Sequence, residues 1–352
     1  MPLRRWTLAL VAAAASGQEA APFPQAAISP WTPAWELTLR GDDLAEPNQP
    51  SDSFRRAGLQ LRLRWSWEWE ALRFVAGTRS ALGSDGNRFN PPRWDQQPSN
   101  GSQMDVAHGD LSWATERAFG TLKLGLQENG LLSSQALWDR NLRFLGAGGM
   151  AGVRGTEGLL QEVSFRVAAG RVRNILGGRG DLLAGQFVLK LDTGPFSWTA
   201  HAGRWWYAWD PGDERLRRLP GHDPLDRQRM TVDARGAALK WNAVFPWEAR
   251  WFRSKNRESG EDSEEVQLSA GSRERTYWPQ LSFTWQRLSS TGALYPVNGD
   301  EWWFYRRAKG PRFDAALPLP GQWVVSLVYL RQRADGDEYE VTRKMLVLVK
   351  RF

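Results

Sequence analysis

Basic side chains that alternate with apolar residues are the best candidates for chemistry in this sequence. In the stretch LQLRLRWSWEW, Leu59 to Trp69, two arginines lie on the face opposite the leucines and tryptophans. Eight cations occupy such polar positions, and three acids share them. The cations are Arg62, Arg64, Arg73, Arg79, Lys123, Arg166, Lys190 and Arg250, and the acids are Glu68, Glu162 and Glu248. A basic surplus along one face would attract anions, although cross-strand ion pairs could neutralise part of it.

Residues suited to enzymatic catalysis are sparse. The chain has three histidines, His108, His201 and His222, and neither a Gly-x-Ser-x-Gly nor a His-x-x-x-His motif. A Ser-His-acid site needs a histidine beside an activated serine, so the sequence predicts neither an enzyme nor a cofactor. The acidic stretches at 85–87 and 258–265 could hold a divalent cation, but solvated loops explain them equally well, and we predict no metal.

The elements that must position the basic residues are β-strands. Strict alternation over Leu59 to Trp69 is the period of a strand with one apolar and one polar face. About 9–11 residues are needed for a strand to cross a membrane, and tryptophans favour the membrane interface. An amphipathic strand of a soluble sandwich or barrel would alternate in the same way.

Composition favours the membrane alternative. The chain has 352 residues, 21 tryptophans, no cysteine and a mean hydropathy of -0.52. Aromatic girdles are typical of transmembrane barrels. The length would also fit two soluble domains, but no Pro/Ser-rich linker divides the chain.

The N-terminus has the layout of a secretory signal peptide. Arg4 and Arg5 precede an apolar run from Trp6 to Ala15, and small residues follow up to Gly17. We therefore predict a signal peptide at 1–17, a periplasmic lead-in at 18–33 and a barrel at 34–352. A membrane anchor is the alternative, but the apolar run is shorter than the roughly 17–25 residues of a spanning helix.

Loop lengths predict the fold class. Short connections near residues 70, 116, 158, 194, 246, 274 and 319 alternate with mostly longer, polar ones. This predicts an all-β fold, a transmembrane antiparallel β-barrel of roughly 16 strands with short periplasmic turns and longer extracellular loops. We place strand six at about 151–157 after a glycine-rich passage at 129–150, strand fourteen at 301–317, and a bulge near Gly236.

Two segments resemble known outer-membrane sequences. Phe352, with Leu346 and Leu348 on the same face, resembles the C-terminal aromatic signal that barrel-assembly machinery recognises. Residues 125–128 (GLQE), 138–140 (WDR), 143–144 (RF) and 152–154 (GVR) resemble the strand-loop-strand signature of the alginate-export-type porins of Gram-negative bacteria. The resemblance implies that 131–150 folds into the lumen as a constriction, with Asp139, Arg140 and Arg143 as selectivity residues. An ordinary external loop is the alternative.

The sequence therefore predicts an outer-membrane porin, a passive channel for small hydrophilic solutes with a bias towards anions. Expected partners are outer-membrane lipids and lipopolysaccharide, the barrel-assembly machinery and the solutes, with a homotrimer as a further expectation and no nucleic acid. Two alternatives remain: a scaffold barrel that sheathes a periplasmic partner such as a cytochrome, and a secreted Trp-rich carbohydrate-binding β-protein.

Overall fold

The described part of the chain consists of antiparallel strands. The computed structural model describes residues 32–45, 54–83, 101–139, 142–155, 158–173, 179–209, 229–242, 244–289, 291–292, 294, 307–334 and 339–352. The strands are β1 (Thr32–Ala45), β2 (Phe54–Trp69), β3 (Leu72–Gly83), β4 (Gly101–Ala114), β5 (Ala118–Glu128), β6 (Arg143–Arg154), β7 (Leu160–Arg173), β8 (Arg179–Asp192), β9 (Phe196–Trp209), β10 (Arg229–Trp241), β11 (Trp247–Asn256), β12 (Asp262–Gly271), β13 (Gln280–Leu288), β14 (Ala308–Leu319), β15 (Trp323–Ala334) and β16 (Tyr339–Arg351). Within these ranges no helix is both long and apolar enough to cross a membrane.

The sixteen strands close into one barrel. Each strand pairs with the next along the chain, and β1 pairs with β16 from Glu36 opposite Arg351 to Ala45 opposite Thr342. Closure leaves no unpaired sheet edge, so the ladders satisfy the backbone groups of every strand. The predicted fold class, a sixteen-stranded antiparallel barrel, is confirmed.

Side chains alternate between an outward apolar face and an inward polar one. In β7 the outward side chains of Val163, Phe165 and Val167 are 39–42% exposed, whereas the intervening Glu162 and Arg166 are at most 6% exposed. A soluble β-protein would bury the apolar face instead. The outward position of the apolar residues agrees with the alternation of the sequence.

The connections follow the predicted parity. Those at 70–71, 115–117, 155–159, 193–195, 242–246, 272–279 and 320–322 lie at the same end of the barrel as residues 32 and 352. Connections at the other end are mostly longer, up to those at 210–228 and 289–307. The predicted signal peptide and most of the predicted lead-in lie outside the described residues.

Two local predictions were wrong. Strand six begins at Arg143 rather than near residue 151, so most of the glycine-rich passage is regular strand. No bulge occurs at Gly236, which pairs in continuous register with His201 on β9 and Phe252 on β11. The register shifts instead between Gly77 and Thr78. Residues 301–306 of predicted strand fourteen lie outside the described residues, and β14 begins at Ala308.

Inward glycines explain why the glycine-rich passage forms a strand. Gly146 on β6 lies opposite Gly170 on β7. A Cβ atom added to Gly146 would lie 2.1 Å from the carbonyl oxygen of Ala169. The Gln127 side chain also donates to the Gly146 carbonyl over 3.1 Å. Glycine is therefore needed there for close approach, and its presence does not indicate a loop.

We expect Gly146→Ala to lower the free energy of unfolding by roughly 1–3 kcal/mol, because overpacking forces the β6–β7 backbones apart. Urea unfolding of the protein refolded in detergent micelles, followed by tryptophan fluorescence, measures this. Gly130→Ala is the control, because a Cβ atom there meets nothing within 4 Å. Equal stabilities of the two variants would contradict the close-approach argument.

Candidate pore constriction and charged inner wall

The predicted basic residues share one surface. The strand ladders place all eight on the inner face: Arg62, Arg64, Arg73, Arg79, Lys123, Arg166, Lys190 and Arg250. Arg79 and Arg166 are nearly inaccessible, whereas the side chain of Lys123 is 41% exposed. The inner wall is thus a continuous site built from strands that are far apart in sequence.

More acids share this wall than the sequence indicated. Beyond Glu68, Glu162 and Glu248, the inner wall carries six further carboxylates that form ion pairs with its basic residues. They are Glu36, Asp42, Asp105, Asp110, Glu128 and Asp314. Matching parity along their own strands would have found Glu36, Asp42, Asp110 and Asp314, whereas Asp105 and Glu128 do not follow the alternation of their strands. Ion pairing is therefore more extensive than predicted.

The densest cluster joins three arginines to two carboxylates. Arg143 Nη2 lies 3.2 Å from Asp105 and 3.0 Å from Glu128. Arg64 Nη2 lies 2.7 Å from Glu128, and Arg79 Nε lies 3.7 Å from Asp105. Buried charges are stable only when paired, and here Asp105 has three arginines and Glu128 two within 4 Å. Among these five residues one positive charge remains in excess.

A β-bulge brings Asp105 into this cluster. Gly77 on β3 pairs with Val106, and Thr78 pairs with Met104, so Asp105 has no residue opposite it. Asp105 and Val106, although consecutive, are both buried. A bulge can re-aim a side chain in this way, and strict alternation could not have placed Asp105 on the inner face.

Two smaller clusters each hold two cations and one carboxylate. Asp42 accepts from Arg343 over 2.9 and 2.8 Å and from Arg40 over 3.0 Å. Glu162 lies 2.9 Å from Lys190 Nζ and 3.4 Å from Arg166 Nη2. Counted over these ion-paired groups, the cations of each cluster outnumber its carboxylates by one, and Asp139 adds a further negative charge that acts on Arg79 and Arg143.

The segment after β5 folds into the lumen. Residues 129–139, called the inward segment below, include the buried side chains of Leu131, Leu137 and Trp138. Asp139 is 1% exposed, and Arg143 lies at the start of β6 within the three-arginine cluster. The predicted lumen segment 131–150 is therefore shorter than expected, because 143–150 belongs to β6. Arg140 lies outside the described residues.

Polar contacts fix the inward segment to the inner wall at β7 and β8. Gln186 on β8 accepts from the Leu132 amide over 2.8 Å and donates to the Leu132 carbonyl over 2.7 Å. Arg166 donates to the Gly130 carbonyl over 3.2 Å. The Gln186 side chain thus satisfies both the amide and the carbonyl of Leu132. These backbone groups are buried and lie outside any strand, so they would otherwise lack partners from a sheet.

An apolar patch of the inner wall lies beneath the inward segment. The Trp138 ring centroid is 5.9 Å from that of Trp205 on β9. The patch consists of Phe144, Ala168, Val172, Leu182, Ala184, Trp205, Tyr207, Met230, Val232 and Ala234. Sequence reasoning missed this patch because alternation assigns inward positions to polar residues. The signal was the run GRWWYAW in β9, which is apolar on both faces.

Other candidate chemical groups do not assemble. Among the described residues, no group of three histidine, aspartate or glutamate side chains could hold a metal ion. His201 lies on the inner face with Nδ1 2.9 Å from Gln186 Nε2, a packing and hydrogen-bonding position. Residues 85–87, half of the cation alternative, lie outside the described part of the chain.

Solved structures share this architecture. OprB of Pseudomonas putida, at high pH, has a TM-score of 0.63 and 11% sequence identity, covering 92% of this chain and 94% of that one. OmpF of Salmonella typhi in complex with daunomycin has a TM-score of 0.55 and 13% identity, covering 92% and 97%. A BenF-like porin from Pseudomonas fluorescens Pf-5 has a TM-score of 0.52 and 8% identity, covering 91% and 98%.

These similarities establish the fold, since the sequence identities are low. No protein-family model matches the sequence, and comparison with curated proteins finds no match. The resemblance to the alginate-export-type family is therefore not confirmed.

We expect Gln186→Leu to loosen the inward segment, because it removes two hydrogen bonds that each contribute about 1 kcal/mol. Hydrogen exchange of peptides covering 129–139 should become roughly tenfold faster or more. Gln60→Leu is the matched control, since Gln60 is buried on β2 and its Nε2 has no hydrogen-bond partner among the described residues. Unchanged exchange in Gln186→Leu would show that apolar packing alone holds the segment.

Proposed function

We propose that the chain is an outer-membrane channel through which small hydrophilic solutes diffuse passively, with a preference for anions. The observation that carries the proposal is a closed barrel with an apolar outer surface and a charged inner wall. A polar lumen lowers the cost of crossing the hydrocarbon, and its charges bias which solutes enter. No catalytic step is involved.

The outer surface supports placement in a membrane. Large apolar side chains point outwards around the barrel, including Leu124, Phe187, Leu327 and Leu346, each more than 50% exposed. An exposed apolar surface of this extent is unfavourable in water and suits lipid, where a closed barrel satisfies its own backbone groups. The proposal includes export by residues 1–17, short turns in the periplasm, and contact with outer-membrane lipids and lipopolysaccharide.

The C-terminus supports assembly in that membrane. Phe352 points outwards, and its ring centroid lies 6.1 Å from that of Trp35 on β1. An exposed terminal aromatic residue is accessible to barrel-assembly machinery before closure and joins the aromatic rim afterwards. The homotrimer remains a separate expectation of the proposal.

The anion preference is argued from the three clusters of the inner wall. Each has one more cation than carboxylates, and Arg64 and Arg143 contribute to the largest. The inward segment covers the apolar patch on β6 to β10, strands that also carry the Glu162 cluster, whereas the clusters around Asp42 and Asp105 belong to the wall formed by β16 and β1 to β6. A hydrated anion would pass along that wall. Asp139, at the end of the inward segment, is included as a selectivity residue, and Arg140 is included from the sequence alone.

The alternatives are less well supported. A scaffold barrel needs room for its partner, and the inward segment already occupies lumen space. A secreted carbohydrate-binding protein would need its apolar side chains in a core, whereas here they face outwards. Alginate stays a prediction of the family resemblance and is not part of the proposal.

Charge substitutions in the largest cluster test the channel. With a salt gradient across a planar bilayer, we expect the wild-type reversal potential to favour anions. Arg64→Gln should lower the anion-to-cation permeability ratio about fivefold, since one charge at about 4 Å contributes roughly 1 kcal/mol in water. Glu128→Gln should raise the ratio by a similar factor. The outward-facing Arg331→Gln is the control, and a shift of equal size there, or no conductance at all, would refute the proposal.

A second test addresses membrane placement. Leu327 faces outwards and Ser326 faces the lumen, although they are neighbours on β15. We expect Leu327→Arg to destabilise the barrel in lipid vesicles by about 2–4 kcal/mol and Ser326→Arg to have a smaller effect. Urea unfolding in vesicles measures both. The proposal fails if the order is reversed.

A further inference from the structure

A row of basic residues crosses the outward face at the long-loop end of the barrel. The strand ladders pair Arg235 with Arg253, Arg253 with Glu264, Glu264 with Arg287, Arg287 with Lys309, and Lys309 with Arg333. These six residues, called the basic belt, lie side by side on β10 to β15. They contain five cations and one carboxylate, on a face whose large side chains are mostly apolar.

Shared carboxylates orient the arginines and leave donors available. Arg253 and Arg287 lie 2.5 and 3.1 Å from Asp262, and Arg331 and Arg333 lie 2.8 and 3.0 Å from Glu340. A guanidinium has five N–H donors, so two guanidiniums together have more donors than one carboxylate can accept. The four arginine side chains are 40–45% exposed. They can therefore bind a further anion, and phosphate suits the arginine fork well.

An apolar groove lies directly below the basic belt on the same strands. Its volume is about 1130 Å³, and its outward apolar lining includes Leu268, Leu281, Phe283, Phe313, Leu327 and Tyr329. Ring centroids are 5.1 Å apart for Phe283 and Phe313 and 6.4 Å apart for Phe313 and Tyr329. On β13, Phe283 lies four residues from Arg287 on the same outward face, a separation of about 13 Å along the strand. A phosphate-binding row above an apolar groove matches a headgroup above its acyl chains.

The belt is one-sided and belongs to one rim. At the same end of β3 and β4 the described outward residues include Ser80, Leu82, Ser102 and Met104. The opposite rim is aromatic, as at Trp69 and Trp113. Other outward arginines near this end, such as Arg171 and Arg204, pair with Asp181 and Asp233 and lie outside the row that continues from β10 to β15.

We propose that the basic belt and the apolar groove together bind a lipid with a phosphorylated headgroup in the leaflet next to the long loops. The inference rests on the proposed membrane location, and it adds a lateral site outside the pore. Headgroup phosphates would take the free guanidinium donors, and acyl chains would cover the groove. A second copy placed face to face would bring two basic belts together, which like-charge repulsion disfavours.

A lipid-binding titration tests the site. The purified full-length barrel in uncharged detergent micelles is titrated with bisphosphorylated lipid A and, separately, with its dephosphorylated form, and bound lipid is counted by native mass spectrometry. We expect phosphate-dependent binding that Arg287→Gln/Arg333→Gln weakens about thirtyfold, the effect of two basic residues facing phosphorylated lipid. Arg171→Gln/Arg204→Gln is the matched control, since both residues are outward-facing arginines that neither belong to the belt nor line the groove, and it should bind like wild type.

Other results would overturn the lipid site. Equal binding of the two lipid forms, equal weakening by the control pair, or full competition by inorganic phosphate at the same concentration would each do so. A dimer would also overturn the lipid site if lipid did not displace it and if the belt variant no longer formed it. A second copy of the chain would then occupy the groove. Phe313→Ser supplies a second variant, expected to weaken lipid binding without weakening binding of inorganic phosphate.

Conductance of the same samples separates the two proposals. Phosphate-dependent lipid binding without conductance would refute the channel and support the lateral site. Conductance without phosphate-dependent binding would refute the lateral site and support the channel.

Discussion

The hydrogen-bonded seam between β1 and β16 is the constraint on which the rest of the structure depends. Ten residue pairs, from Glu36 with Arg351 to Ala45 with Thr342, close the sheet on itself. Without the seam, two strands would expose unpaired N–H and C=O groups, which lipid cannot satisfy. With it, every side chain points either out or in, so the period of two along each strand becomes a division between two environments.

Inside the barrel, two different surfaces share the wall. The apolar patch around Trp205 is covered by the inward segment, whose Trp138 packs on it. The charged clusters lie on the same inner wall, and each carboxylate in them is held by more than one cation. The ion pairs that stabilise the buried arginines therefore also leave more positive than negative charges among the paired groups. The outward basic belt repeats this chemistry on the other side of the wall, where shared carboxylates orient arginines towards lipid.

Much of the architecture follows from local sequence pattern. Strands such as Leu59 to Trp69 alternate strictly, and their length, turn parity and even number predict a closed barrel. Every strand cation selected by parity lies on the inner face, since a strand has only two faces and one of them must be apolar. Pattern reasoning failed where residues were permissive. The start of β6 was placed about eight residues too late because its glycines carry no hydrophobic signal, and Gly236 suggested a bulge where it only makes room for His201.

By itself the sequence determined the fold class and which face of each regular strand is polar, because both depend on residues close together in the chain. Only the tertiary structure decided which charges meet. Asp105 and Glu128 join Arg64, Arg79 and Arg143 through ladders among β2 to β6 and through a bulge that parity cannot anticipate. Likewise, the register across β10 to β15 aligns the basic belt above the groove. Such alignments depend on the stagger between strands, a long-range quantity set when the barrel closes.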